Sequence, residues 1–330
     1  MAGVSPATVS RVLNNPELVA LSTALKVNRT MDQLGYRPNP YARGLKGSAR
    51  KTVGLIFLDD LSKLASNPFW ALASNAVYAS LLENKFNPQI VTTLNPGNST
   101  PRFSSSKDLV RFLRNGHCDG YITIGSAADQ FWSGLWSSKL PSIAWGPPGL
   151  EKMTIPTIDT NNAGGGALAV HHLFEKGYRR IAHISATQGF ITSDDRLLGF
   201  LQAKKSLGLP SDPALVRVGN GGYESGWEHT EALMQIDDPP DAIFAHNDEV
   251  AFGALRYAEA NGLRVPGDLA IVGFDNVGSE MKILGRAITS VATPYREIGS
   301  ALAHGIEELM DGRHFSSRVI DALLFDGDTT

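Results

Sequence analysis

The chain has 330 residues, a formal net charge of −3, 42% hydrophobic and 19% charged residues, the make-up of a globular protein long enough for two or three domains. No apolar run reaches membrane-spanning length and no basic-then-apolar leader opens the chain, so neither a membrane partner nor secretion is expected and a cytoplasmic location is. The single cysteine, Cys118, excludes an internal disulfide framework and is expected as a small buried residue. The charge is uneven: eight basic residues stand against two acids up to Lys51, a net +6, which leaves −9 for the remainder. A basic head on an acidic body suits a nucleic-acid-binding module joined to a part that avoids the polyanion.

From Gly3 to Asn14 the residues read as the turn and second helix of a helix-turn-helix. Gly3 suits the turn, Ser5 is a good N-cap and Pro6 fits the first helical position. Val9, Val12 and Leu13 form one apolar stripe. Pro6, Ala7 and Arg11 lie on the opposite face, where a recognition helix meets base edges. Only Met1 and Ala2 precede the turn, so the helix that covers such a stripe is expected to be missing and the head to be loosely packed. A third helix is expected over 22–34, with Leu25, Val27, Met31 and Leu34 on its apolar side and Gly35 closing it. Beyond it, Asn39 can cap a short helix begun by Pro40. Gly44 and Gly47 weaken that helix, so it forms only when held, as a hinge would.

From Thr52 the texture changes to apolar runs of strand length at 53–58, 89–91, 120–124, 142–145, 181–184, 242–245 and 270–274. Helical segments alternate with them at 68–84, 107–115, 163–176, 196–207, 223–234, 249–261 and 295–310. This alternation argues for an α/β fold of doubly wound parallel sheets. The stretch is too long for one core, so two Rossmann-like halves are expected, with strand ends facing a shared cleft. The division runs 1–37 for the head, 38–51 for hinge and linker, and 52–330 for the body. Within the body one half takes 52–158 with 293–315, the other 159–292 with 316–330.

Several signals read better as structure than as chemistry. Gly164, Gly165 and Gly166 open a helix but lack the spacing of a phosphate loop. The stretch 47–52 lacks the Gly-Lys pair of a Walker loop. His171 and His172 are adjacent and cannot chelate as an i, i+4 pair. No Gly-x-Ser-x-Gly elbow occurs, and Asp194-Asp195 and Asp237-Asp238 read as loop or cap residues. Neither enzymatic activity nor a metal or cofactor is expected.

The order and spacing of several segments resembles the LacI family of bacterial transcription repressors over essentially the whole chain. They are the stretch 2–14, Leu34-Gly35-Tyr36-Arg37-Pro38-Asn39, Asn67-Pro68-Phe69, Asp159-Thr160-Asn161 and the stretch 195–200. Asn247-Asp248, the stretch 262–268 and Val272-Gly273-Phe274-Asp275 complete the set. The resemblance implies a homodimer whose small all-α heads read a pseudo-palindromic double-stranded operator. Pro6, Ala7 and Arg11 would read bases, and Ser5, Thr8 and Asn14 would meet phosphates. Asn39 belongs to the hinge segment counted with the DNA-contacting residues, and Leu45 would wedge into the minor groove. The body would be periplasmic-binding-protein-like, with a small carbohydrate effector between its halves. Arg196 would anchor that effector, Thr192, Asn247 and Asp275 would grip hydroxyls, and Phe69 and Trp70 would form an aromatic floor. Asp248 would orient Asn247 or cap the next helix.

Two departures bear on the ligand. Gly146 stands where sugar-binding members often carry a hydrogen-bonding side chain, and Gly221 where several place an aromatic ring; Tyr223 or Trp145 would have to compensate. The expected function is allosteric repression controlled by the effector. The alternatives are a ligand sensor with weak or no DNA binding, because the first helix is missing, and a sugar-binding transport protein.

Overall fold

The computed structural model describes residues 2–14, 18–33, 51–58, 67–93, 102–115, 118–125, 129–146, 155–278 and 285–330. The chain divides into two compact units, Met1–Arg50 and Lys51–Thr330. In the first, α1 (Pro6–Asn14) and α2 (Leu21–Gln33) pack through a small core of Val12, Ala24 and Val27, with Val4, Val9 and Met31 around it. Val12 is therefore covered by α2, which corrects the expectation that the stripe lacks a partner. Leu25, expected on the apolar side, is 60% exposed. Positions 24, 27 and 31 share one helical face, and position 25 lies about 100° around from 24. Leu34, Gly35, Asn39, Leu45 and the expected hinge helix lie outside the described residues, as does the side chain of Leu13.

In the larger unit β1 (Thr52–Phe57), α3 (Pro68–Glu83), β2 (Asn87–Thr92), α4 (Ser106–Asn115), β3 (Gly120–Ile124), α5 (Asp129–Ser138), β4 (Ser142–Trp145) and β5 (Thr157–Thr160) follow in order. Next come α6 (Asn162–Glu175), β6 (Ile181–Ser185), α7 (Ile191–Ser206), β7 (Val216–Val218), α8 (Tyr223–Met234), β8 (Ala242–Ala245), α9 (Asp248–Ala260) and β9 (Ala270–Asp275). The chain ends with β10 (Thr289–Ala292), α10 (Tyr295–Met310), β11 (Arg318–Ile320) and β12 (Leu323–Phe325). Among the described residues these strands form two six-stranded sheets, ordered β11-β5-β4-β3-β1-β2 and β12-β10-β9-β8-β6-β7. Every pairing is parallel except β10 with β12.

The runs are continuously apolar because both faces of each sheet are covered. β1 turns Val53, Leu55 and Phe57 toward Ala73, Val77 and Leu81 of α3 and Ile298, Leu302 and Ile306 of α10. Ile56, on the other face, joins Leu109 and Leu113 of α4 and Leu135 of α5. In the second sheet Ile184, Ile243 and Ile271 pack under α8 and α9, while Phe244, Val272 and Phe274 face α6 and α7. Helix α10 sits on the first half, although the strand before it, β10, belongs to the second sheet.

Strand pairing also shifts the expected borders between the halves. All of β5 pairs in the first sheet, and so does β11, so the chain changes halves near residues 161, 293 and 321 rather than at 158 and 316. The polar end of the chain is not a free tail. Thr329 is fully buried; its hydroxyl donates to the Ile271 carbonyl at 2.6 Å and accepts the Thr289 N–H at 2.9 Å.

Candidate functional site

The residues expected to meet DNA lie on and just before α1. Gly3 takes a φ of +64°, the left-handed turn its lack of a side chain permits. The Ser5 hydroxyl accepts the Thr8 N–H at 3.1 Å and caps α1, with Pro6 at its first position. Ser5, Pro6, Ala7 and Arg11 are exposed and Thr8 is half-buried. The side chain of Asn14 lies outside the described residues.

A cavity of about 400 Å³ opens in the body at the carboxyl ends of strands from both sheets, where doubly wound folds place ligands. Its lining brings together Phe69, Trp70, Thr192, Arg196, Asn247 and Asp275. Asn67 caps α3 by accepting the Phe69 N–H at 3.0 Å, which sets the two aromatic side chains at the helix start. Phe69 meets Trp70 and Trp145 edge-on, with ring centres 5.7 and 6.3 Å apart, and Tyr295 tilted at 5.9 Å. Of these rings Phe69, Trp70 and Trp145 line the cavity and form one apolar wall.

The opposite wall is built on Arg196. Close helix packing puts it there: a Cβ on Gly166 of α6 would collide with the Arg196 backbone carbonyl, and one on Gly199 of α7 with that of Ala163. The glycine run is thus a packing device. The buried guanidinium donates from Nε to Asn162 at 2.9 Å, from one terminal nitrogen to the His246 carbonyl at 2.7 Å, and from the other to Asp275 at 3.1 Å. It lies 3.5 Å from the centre of the Phe274 ring. Three of five N–H groups are used, which leaves two. Asp275 ends β9 at a φ of +91°, a region costly for a residue with a side chain and tolerated where function holds it. Its carboxylate also accepts the Thr293 hydroxyl at 3.3 Å.

Asn247 is half committed: its side-chain oxygen caps α9 through the Val250 N–H at 2.9 Å, and its amide donates to the Gly221 carbonyl at 3.0 Å. Contrary to the sequence expectation, Asp248 neither orients Asn247 nor caps the helix. It is buried and accepts the Ser290 hydroxyl at 2.6 Å and the Val277 N–H at 2.7 Å. Of the two residues expected to replace missing contacts, Trp145 lines the cavity, whereas Tyr223 packs against Phe252 with ring centres 5.4 Å apart. Gly146 lines the cavity at a φ of +89°, and nothing lies within 4 Å of the point a Cβ would occupy. Cys118, expected buried, is only half-buried.

Sequence reasoning did not single out Asp159, Asn162, His246, Glu249 or Thr293, all of which line the cavity. Burial pushes the Asp159 carboxyl up to about 6, against the Thr160 N–H and the Arg196 charge. Burial likewise raises Asp248 to about 7, with the Ser290 hydrogen bond opposing. Burial holds the His246 imidazole well below its usual range and so neutral, and its Nδ1 has no hydrogen-bond partner among the described residues. Asp159 lay in the Asp-Thr-Asn segment at a strand end, a position that could have flagged it. Among the described residues no cluster of histidine, cysteine or acidic side chains could hold a metal ion, and no helix is long and apolar enough to cross a membrane.

Two protein families match the chain: bacterial regulatory proteins of the lacI family over residues 1–39, and the periplasmic binding protein-like domain over 170–330. The transcriptional repressor CytR of Escherichia coli is 29% identical over 99% of this chain and 94% of its own. The transcriptional regulator CelR of Thermobifida fusca is 32% identical over 94% of this chain and 90% of its own. The solved complex of a CelR regulator with cellobiose superposes with a TM-score of 0.73 at 30% identity, covering 100% of this chain and 97% of that one. A body whose residues 170–330 match the periplasmic binding protein-like domain, a helical head that matches the lacI model, and a relative of 32% identity over nearly full length place the chain in the LacI family of bacterial transcriptional regulators.

Proposed function

We propose that the protein is a repressor whose affinity for a pseudo-palindromic DNA operator is set by a small carbohydrate-like effector bound in the body cavity. It acts as a cytoplasmic homodimer, with no cofactor and no catalysis. The observation that carries this reading is a cavity in which an aromatic wall from one half faces the Arg196–Asp275 pair of the other. Phe69 and Trp70 stack on the ligand's ring, while Arg196, Asp275, Asn247 and Thr192 bond its hydroxyls. In the head, Pro6, Ala7 and Arg11 read bases while Ser5, Thr8 and Asn14 meet phosphates. Asn39 and Leu45 act in the hinge.

Dimerisation is supported by exposed apolar residues on each half: Tyr78, Leu82 and Ile90 on one, Leu198, Leu201 and Val218 on the other. A ligand sensor without DNA binding is not favoured, because α1 and α2 share a core and the relatives are repressors and regulators. The ligand works by favouring one arrangement of the halves, a coupling of about 1–3 kcal/mol. Selection of a bound duplex from a random pool, then titration of that duplex with and without sugars and nucleosides, tests the reading. Loss of DNA affinity on adding one ligand is expected. A bound ligand that leaves DNA affinity unchanged would overturn the allosteric claim.

A further inference from the structure

The charges around the cavity narrow what it takes, on the reading that it is the effector site. Among the described lining residues Arg196 carries the one positive charge, whereas Asp159, Asp248, Glu249 and Asp275 are acids. The Arg196 charge is already matched by Asp275 at 3.1 Å. Both Asp248 oxygens are occupied by Ser290 and Val277. Asp159 differs: its oxygens take only the Thr160 N–H at 2.8 Å and the Asn162 amide at 3.4 Å. No lysine or arginine among the described residues forms an ion pair with it.

A carboxylate has about four acceptor sites and no donor, so Asp159 retains acceptors that a hydroxyl can fill and an anion cannot. Of the helix starts at the cavity, the usual place to hold a phosphate, those of α9 and α7 carry acids against one, while those of α3 and α6 carry none. The first turn of α9 carries Asp248 and Glu249, and that of α7 carries Asp194. Like charges repel strongly where water is scarce.

We infer that the cavity takes an uncharged, hydroxyl-rich ligand and rejects its phosphorylated counterpart, with Asp159 as the discriminating residue. Calorimetric titration of the full chain at pH 8 tests this. The probes are glucose, ribose, cellobiose and adenosine, each against its ester with phosphate on the primary hydroxyl. For any pair in which the parent binds, the ester is expected to bind at least about tenfold more weakly, a difference of about 1.4 kcal/mol. Asp159→Asn should shrink that gap at least threefold, and Glu249→Gln, at an exposed position, should shrink it less.

An ester that binds as tightly as its parent overturns the inference and leaves the effector site standing. A gap unchanged in both variants overturns the assignment to these carboxylates. No binding by any parent or ester overturns the effector reading itself.

Discussion

The two halves of the body share a strand order and divide the cavity unequally. The first contributes Phe69, Trp70 and Trp145, with Leu58, Ile124 and the acid Asp159; the second contributes Arg196, His246, Asn247, Asp248 and Asp275. Apart from Arg196, which lies in the second turn of α7, both sets stand at strand ends or helix starts, so the backbone treats the halves much alike and the side chains make the difference. An aromatic wall supplies affinity through buried area without fixing direction. A wall of paired, hydrogen-bonded charges supplies little net affinity of its own and sets orientation. A ligand that needs both is bound best when the halves close on it, which is the differential affinity that a conformational change requires.

The sharpest way to break this division is to remove its polar organiser. Arg196→Ala strands Asp275, Asn162 and the His246 carbonyl together. The expected loss of stability is about 3–5 kcal/mol, with ligand binding abolished; Arg196→Lys should recover part of the stability and little of the binding. An unchanged melting temperature for Arg196→Ala would contradict the role given to the guanidinium. Removing a ring from the other wall should separate the two functions. Trp145→Ala is expected to weaken ligand about tenfold, and calorimetry with the folded variant reads it; no loss would leave the aromatic wall without a role.

Each half also brings a buried acid to the cavity, Asp159 from the first and Asp248 from the second. Burial holds Asp159 at about 6 and Asp248 at about 7, above the unfolded value of about 3.9. Stability from these groups is complete below the unfolded value and is lost as pH rises through 6 and 7, because the folded chain then holds protons the unfolded chain has released. Melting temperature should therefore fall by a few degrees between pH 5 and pH 8, and Asp248→Asn should flatten that slope. A slope of opposite sign would refute the burial argument. The smallest effect is expected where the halves touch in solvent. Asn67 donates to Glu249 at 3.2 Å across the cavity mouth, and Glu249→Ala should change stability by no more than about 0.5 kcal/mol.

Much of the fold was legible because apolar runs buried on both faces, such as 53–58 and 270–274, leave little room for another reading. The strands β5, β7, β10, β11 and β12 were not, since they run three or four residues and all but β12 mix polar with apolar types. Helix α7 begins at Ile191, five residues before the expected start, because Phe190 at its N-cap makes no side-chain cap bond that a sequence could display. Of the cavity, the six residues suggested by resemblance do converge. Asp159, Asn162 and His246 stayed hidden because their meaning depends on Arg196, between 34 and 50 positions away in sequence.

The most direct test of a ligand shared by both halves is a crystal structure of the full chain with the tightest-binding sugar or nucleoside found by calorimetry. A ring is expected against Phe69 and Trp70, with hydroxyls in hydrogen-bond reach of Arg196 and Asp275. A ligand held by one half alone, or bound outside this cavity, would contradict it.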